Sequence, residues 1–200
     1  SDALKKLSCE LSNHREAELL LSDILKITIP ELIFKKNESV TPEDIKRIDD
    51  CILRRKSGEP IQYITGNTEF MSLPFKVSPS VLIPRSDTET LVELLIDKIG
   101  ETTCSLVDIG TGSGCICISL LKYCKNLTAC ALDISEKALS VAKENAKQLN
   151  LEATFTLSNL FENVEGKYEI IVSNPPYIKT KELSSLQSEV KKEPLTALDG

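Results

Sequence analysis

The chain has 200 residues, 41% of them apolar and 27% charged, which is ordinary for a folded globular protein of one or two domains. No apolar stretch reaches the length of a bilayer and no cationic-then-apolar leader opens the chain, so we expect a cytoplasmic protein with no membrane partner. A formal net charge of −6 argues against direct nucleic-acid binding, because such proteins normally carry a basic face.

The cysteines predict a reducing compartment. There are seven, an odd number with no C-x-x-C pair, and most lie in apolar patterns where Cys behaves as a small hydrophobic residue. The chain has a single histidine, His14, so neither a zinc site nor histidine-dependent acid–base chemistry is favoured.

Residues 1–58 predict a small helical domain. A helical apolar stripe covers His14–Ile27, and Asn13 is placed to cap it. Thr41 and Pro42 predict the start of another helix, since a capping hydroxyl precedes Pro at the first helical position. Ile45, Ile48, Ile52 and Leu53 follow on one face of this helix.

Residues 59–84 predict a β-hairpin linker. Its expected extended segments, separated by Gly and Pro turns, are Tyr63-Ile64, Glu69-Phe70 and Phe75-Lys76-Val77. We expect Ser86 or Asp87 to cap the next helix, Thr88 to about Ile99. The residues expected to face inward from it are Leu91, Leu94 and Leu95.

Residues 85–200 predict an α/β domain. Apolar strand patterns alternate with helical patterns from Cys104 onward, which is typical of a parallel sheet with helices on its faces. The expected strands are Cys104–Val107, Thr128–Leu132, Ala153–Leu157 and Tyr168–Val172, with helices at Ile116–Tyr123 and Ser135–Leu149.

A glycine-rich loop follows the first of these strands. Glycines let the backbone turn tightly and approach a ligand closely. Asp133 ends the next strand, where a carboxylate can accept both hydroxyls of a ribose. A plain glycine turn with a helix-capping Asp is the alternative. The candidate cofactor residues are Asp108, Gly110, Thr111, Gly112, Ser113, Gly114 and Asp133.

Two later loops extend this candidate site. Asn159 and Leu160 follow the third strand, where they can contact an adenine ring; a polar turn with an apolar anchor explains them equally well. Asn174-Pro175-Pro176-Tyr177 follows the fourth strand and stops it, because prolines cannot continue a strand. Its Asn and Tyr indicate a pocket for a planar amide or amine, and a strand-terminating turn is the alternative. An adenosine site beside such a pocket suggests group transfer from S-adenosylmethionine to nitrogen, which leaves S-adenosylhomocysteine.

Several segments resemble the protein-(glutamine-N5) methyltransferases that modify peptide chain release factors. The matching segments are Arg15–Leu20, Gly58–Gly66, Phe75–Val77, Leu82–Arg85, Asp108–Gly114, Ser173–Ile178, Glu193-Pro194 and Ala197–Gly200. The resemblance implies a Rossmann-like S-adenosylmethionine-dependent core, truncated after the fourth strand, with a small N-terminal helical domain for release-factor recognition.

This resemblance also implies a substrate and residue roles. The substrate is the glutamine of the Gly-Gly-Gln motif of release factors, and we expect a monomeric enzyme. Asn174 and Pro175 accept hydrogen bonds from the substrate amide, Pro176 stiffens the loop and Tyr177 packs on the amide. Arg85 and Thr88 contact the methionine carboxylate of the cofactor, or else anchor the loop.

The chain departs from the family pattern at three places. Ser86-Asp87-Thr88 stands where the family usually has Pro-Glu-Thr, and Asn159 stands where it usually has Asp. The family also continues past Gly200. Three other functions stay open: adenine-N6 methylation of DNA or RNA, methylation of a ribosomal-protein glutamine, and a non-catalytic binding module.

Overall fold

The computed structural model describes residues 2–34 and 40–200, which form two compact units. The helical unit comprises the described residues up to Thr65 together with Ser188–Lys192, and the sheet unit comprises Gly66–Gln187 and Glu193–Gly200. The segment predicted as a linker is therefore divided between the two units. None of the helices in these described ranges has the length and apolarity needed to cross a bilayer.

The helical unit contains five α-helices. Their bounds are α1 Asp2–Leu11, α2 His14–Leu25, α3 Ile29–Phe34, α4 Pro42–Lys56 and α5 Ile61–Thr65. The Asn13 side chain accepts a hydrogen bond from the Glu16 N–H (3.2 Å), and Thr41 forms a reciprocal capping box with Asp44. Both predicted caps are therefore confirmed.

Each helix of this unit buries one apolar stripe. Leu7, Leu20, Leu21 and Ile48 are almost completely buried. Ile45 and Leu53, which the sequence pattern placed on the same face of α4 as Ile48 and Ile52, are 43% and 69% exposed. Only the narrower stripe through Ile48 and Ile52 is buried.

Arg55 of α4 holds the returning segment 188–192 in the helical unit. Its guanidinium donates to both carboxylate oxygens of Glu16 (2.7 and 3.0 Å) and to Glu189 (2.6 Å). These two carboxylates raise the pKa of Arg55 above its ordinary value. Planar, bidentate pairing of this kind fixes side-chain geometry better than a single contact does.

The sheet unit opens with an antiparallel hairpin and continues as alternating strands and helices. The hairpin strands are β1 Asn67–Phe70 and β2 Leu73–Lys76. The later elements are α6 Ser86–Ile99, β3 Cys104–Ile109, α7 Cys115–Tyr123, β4 Leu127–Asp133, α8 Glu136–Gln148, β5 Thr154–Leu157 and β6 Ile170–Ser173. Short 3-10 turns follow at Thr180–Ser185 and Leu195–Ala197, and a third, Val190–Lys192, belongs to the helical unit.

The four later strands form one parallel sheet, in the order β5-β4-β3-β6. This confirms the predicted parallel α/β fold, and all four predicted strands are present. The sheet order reverses at β3: the chain runs outward through β4 and β5 and then returns to pair β6 on the other side. β6 is an edge strand among the described residues, and its Ile171 is 60% exposed.

Three local predictions were wrong. Tyr63 and Ile64 lie in α5 and are not extended. α6 begins at Ser86, with Arg85 as an N-cap residue whose side chain makes no capping bond. On α6, Leu94 is 52% exposed, whereas Leu91 and Leu95 pack against the core as expected and Val92 is buried as well.

Asn145 of α8 joins three parts of the sheet unit. Its side-chain oxygen accepts from the Lys76 N–H (2.7 Å), and its amide nitrogen donates to the carbonyls of Lys76 (3.0 Å) and Ser113 (2.9 Å). The residue is fully buried. A buried carboxamide whose donors and acceptor are all engaged fixes the hairpin and the glycine-rich loop against one helix.

We predict that Asn145→Leu lowers the free energy of unfolding by about 2–4 kcal/mol, since it leaves buried backbone groups without partners. Glu144→Ala is the matched control: it removes the exposed ion pair that Glu144 forms with Lys76 between the same two elements. That variant should change stability by less than about 0.5 kcal/mol. Urea denaturation of both variants measures the difference, and equal losses would contradict the bridging role of Asn145.

Candidate active site

A cavity of about 230 Å³ lies at the carboxyl ends of the parallel strands, within the sheet unit. Ligands bind at this edge of open α/β sheets, where the strand order reverses. Of the residues predicted for the site, those lining the cavity are Gly110, Gly112, Asp133, Asn159, Leu160, Asn174, Pro175 and Pro176.

The pairing of β3 with β6 brings the two main motifs together. Ile109 lies opposite Ser173 in the parallel register, and the Ser173 hydroxyl donates to the Ile109 carbonyl (2.8 Å). Gly110 and Asn174 are the first residues after these two strands. The glycine-rich loop and the Asn-Pro-Pro motif therefore start side by side at one end of the cavity.

The three glycines of the loop have different roles. All three have positive φ, between 57° and 81°. A Cβ at Gly110 or Gly112 would meet nothing within 4 Å, so these two leave open space at the cavity. A Cβ at Gly114 would lie 2.6 Å from Ile118 Cδ1 and 3.1 Å from Ala142 Cβ. Gly114 therefore permits close packing of α7 on α8 and does not line the cavity.

Asp108 supports the loop from below. The residue is fully buried, its Oδ2 accepts from the Thr111 hydroxyl (2.7 Å), and its Oδ1 has no hydrogen-bond partner among the described residues. Burial raises the pKa of this carboxyl to about 6, against the opposing effect of the Thr111 hydrogen bond. Asp108, Thr111 and Ser113 are predicted site residues that lie beneath the cavity lining.

Asp133 ends β4 and faces the cavity. Its two carboxylate oxygens accept the Gly112 N–H and the Ser135 N–H, each at 2.9 Å. A carboxylate offers about four acceptor positions, so half of them stay available to ligand hydroxyls. The same side chain thus fixes the glycine-rich loop and presents acceptors to a ligand.

The far end of the cavity has apolar side chains. Leu160 is 62% exposed with a φ of 50°, and Ile134, which directly follows Asp133, is 63% exposed. Sequence reasoning missed Ile134, although an apolar residue directly after Asp133 was the available signal. The Asn159 amide nitrogen donates to the Glu162 carboxylate (3.0 Å), so the Asn159 amide oxygen is not part of that contact.

Asn174 and its neighbours form the other end. The Asn174 amide nitrogen donates to the Thr88 hydroxyl (3.3 Å). Beyond the prolines, Ile178 exchanges backbone hydrogen bonds with Leu198 and Gly200, each at 3.0 Å. Tyr177 is 79% exposed and does not line the cavity.

Arg85 and Thr88 lie outside the cavity lining. Arg85 pairs with Glu193, whose side chain is only 2% exposed and also accepts the Ile83 N–H (3.1 Å). Glu193 thereby connects two segments that form walls of the cavity, Ser80–Leu82 and Pro194–Ala197. Sequence reasoning did not predict that either segment lines the site. Only the tertiary fold shows their proximity, because they are more than a hundred residues apart in the sequence.

Two family models match the chain. The Methyltransferase small domain model matches residues 85–193, and the PrmC N-terminal domain model matches residues 2–66. A release factor glutamine methyltransferase of Buchnera aphidicola subsp. Schizaphis graminum is 44% identical over 198 residues, which cover 98% of this chain and 72% of that protein. The chain belongs to the release factor glutamine methyltransferase family.

Other members are similar over comparable lengths. The relative from Moorella thermoacetica is 44% identical, with 92% of this chain and 67% of that protein covered. The Escherichia coli K12 relative is 37% identical, with 98% and 72% covered. Among solved structures, the hMettl16 catalytic domain in complex with an RNA hairpin superposes with a TM-score of 0.51 at 20% identity, covering 80% of this chain and 58% of that one. At that identity the likeness shows the methyltransferase fold alone.

The cofactor of this methyltransferase is S-adenosylmethionine. The residues present fit it: open space at Gly110 and Gly112 admits a ligand against the backbone, and Asp133 has unused acceptor positions for ribose hydroxyls. Ile134 and Leu160 offer apolar surface for a flat base. We therefore assign these five residues to cofactor binding as a proposal.

We predict that the buried charge of Asp108 makes stability fall as pH rises. The folded-state pKa of about 6 lies above the ordinary value of 3.8, so the folded protein retains a proton that the unfolded chain releases. Between about pH 5 and about pH 7.5, wild type should lose roughly 1–2 kcal/mol relative to Asp108→Asn, which has no charge to bury. Urea denaturation at both pH values measures this. The exposed Asp97→Asn variant keeps Asp108 and should follow the wild-type profile, whereas a wild-type profile in Asp108→Asn would contradict the buried charge.

We predict that Asp133→Ala weakens S-adenosylhomocysteine binding by about 10- to 100-fold, because each hydrogen bond to a charged acceptor contributes about 1.5–3 kcal/mol. Calorimetry measures the affinity. Glu136→Ala removes the same charge three residues away on an exposed helix surface and should leave the affinity within about twofold. Unchanged affinity in Asp133→Ala would rule out the ribose assignment.

Proposed function

We propose that the chain methylates the side-chain amide nitrogen of the glutamine in the Gly-Gly-Gln motif of peptide chain release factors. The observation that carries this proposal is the pairing of Ile109 with Ser173, which starts the cofactor loop and the Asn-Pro-Pro motif at one end of a single cavity. The names of the relatives support the substrate class.

In this reaction the nucleophile is the amide nitrogen of the glutamine side chain, which is a poor nucleophile. An amide nitrogen shares its lone pair with the carbonyl, so its electrons are only weakly available. Bound S-adenosylmethionine supplies an electrophilic methyl group. Methyl transfer would form a nitrogen–carbon bond, the electrons of the broken sulfur–carbon bond would stay with sulfur, and the nitrogen would release one proton to solvent.

Asn174 and Pro175 provide what the nucleophile needs. Acceptors placed at both amide hydrogens favour localisation of the nitrogen lone pair toward the methyl group. The Asn174 side-chain oxygen and the Pro175 carbonyl are the two acceptors. Two consecutive prolines restrict the backbone that carries them, so their geometry is set before the substrate arrives.

General acid–base catalysis has no evident residue here. Asp133 is the one ionisable side chain among the described residues that line the cavity, and it hydrogen-bonds to the glycine-rich loop. Catalysis by positioning and hydrogen-bond acceptance therefore agrees with the composition of the site. Tyr177 is exposed and free to pack against an incoming substrate loop.

The helical unit is the proposed release-factor recognition domain. Its match to the PrmC N-terminal domain model supports this role. The catalytic proposal itself rests on the sheet unit, which contains the whole cavity.

Mass spectrometry of a release factor incubated with the protein and S-adenosylmethionine tests the proposal. We expect the mass of one CH2 unit to appear on the Gly-Gly-Gln peptide. A release factor with that glutamine replaced by glutamate is the control and should stay unmodified. Methyl transfer from labelled cofactor into DNA or RNA, with none into the release factor, would instead support an adenine-N6 methyltransferase.

We predict that Asn174→Ala lowers kcat by at least about 100-fold, as loss of a preorganised transition-state contact does in other enzymes. Its affinity for S-adenosylhomocysteine should stay within about threefold, because the five residues proposed for cofactor binding remain. Asn126→Ala, at the amino ends of the parallel strands and away from the cavity, should retain wild-type turnover. Unchanged turnover in Asn174→Ala would exclude the acceptor role.

A further inference from the structure

The Asn174 carboxamide has a partner outside the cavity. Its Nδ2 donates to the hydroxyl oxygen of Thr88, 3.3 Å away, and both residues are half-buried. Thr88 lies in the first turn of α6, and Asn174 directly follows β6. This contact joins a helix start and a strand end that are 86 residues apart in the sequence.

The orientation of this carboxamide decides whether the site works. If the proposed function is right, Oδ1 must face the substrate amide, because only an oxygen can accept its N–H. A carboxamide turned by half a rotation would present Nδ2, a donor, to another donor. The turned form would remove one acceptor and add a repulsive contact.

Thr88 is suited to holding one orientation. Its own N–H donates to the Arg85 carbonyl (3.0 Å), which fixes the residue in the helix start, and its branched side chain has few rotamers. Among the described residues, the Asn174 side chain makes no other hydrogen bond. The Thr88 hydroxyl is thus the one described group that holds the Asn174 carboxamide, and the structure shows the orientation in which Nδ2 faces Thr88 and Oδ1 has no partner in those ranges.

We propose that Thr88 is a positioning residue, which accepts from Asn174 Nδ2 and keeps Asn174 Oδ1 directed toward the substrate amide. This inference rests on the proposed function and replaces the sequence-based expectation that Thr88 contacts the cofactor carboxylate. Thr88 does not line the cavity, whereas Asn174 does. The neighbouring Arg85 is likewise engaged within the fold, by Glu193.

Three variants test the kinetic consequence with a release factor as substrate. Thr88→Val keeps the shape and removes the acceptor, so kcat should fall by about 10- to 100-fold while KM and the affinity for S-adenosylhomocysteine stay within about twofold. Thr88→Ser restores the hydroxyl and should recover kcat to within about threefold of wild type. Thr90→Val makes the same change at an exposed position on the same helix and should have no effect.

Two results would overturn the proposal. One is an unchanged kcat in Thr88→Val. The other is a loss of cofactor affinity in Thr88→Val with kcat retained at saturating cofactor, which would assign Thr88 to the cofactor carboxylate. A general loss of folding would appear as lower thermal stability in Thr88→Val and would not be accompanied by a selective change in kcat.

The side-chain amide signal of Asn174 separates this proposal from the proposed function. In a nitrogen–proton correlation spectrum, Asn174→Asp identifies the signal by its disappearance. We expect Thr88→Val to shift it, and Thr88→Ser and Thr90→Val to leave it in place. A shift in a protein that fails to methylate release factors would refute the proposed function while supporting the Thr88 contact, and an unmoved signal would refute the contact whatever the activity.

Discussion

The parallel register of β3 with its two neighbours is the constraint on which the site depends. Ile109 lies opposite Leu132 on one side and Ser173 on the other, so the residues that follow these strands emerge at one edge. Gly110, Asp133 and Asn174 meet there for that reason alone. A shift of one residue in either pairing would turn the strand faces over and separate these groups.

The loop between β3 and α7 is held from three sides. Thr111 bonds to the buried Asp108 beneath it, the Gly112 N–H bonds to Asp133 beside it, and the Ser113 carbonyl bonds to Asn145 behind it. Each contact uses a different residue of the loop. The glycines therefore do not make the loop flexible: they allow a path that neighbouring polar groups then fix, and the ordering entropy is lost at folding and not at ligand binding.

Local patterns predicted the elements well and the tertiary contacts poorly. The caps at Asn13 and Thr41 were predictable because a cap depends only on the next three residues. The short helix at Tyr63 and Ile64 was not, since β-type residues there are held by packing that local propensity does not describe. Met71 and Ser72 both adopt positive φ in the hairpin turn, without the Gly or Asn that normally marks such a turn. In the site, residues that follow strands could be predicted from topology, whereas nothing local shows that Glu193 joins wall segments more than a hundred residues apart.

The distribution of charge in the site favours chemistry by neutral acceptors. Arg85 is the cation predicted nearest to the cavity, and the fold pairs it with the buried Glu193; Asp108 lies beneath the lining, and Asp133 is shared with the glycine-rich loop. No charged side chain among the described residues lines the end of the cavity that carries Asn174, and under the proposed function its amide and carbonyl oxygens are the groups that accept from the substrate. Such groups accept hydrogen bonds without changing protonation, so their effect depends on direction and distance and not on pH. Such a site therefore requires that its acceptors be held rigidly. The two prolines, the strand pairing at Ile109 and the Thr88 hydroxyl each contribute to that rigidity.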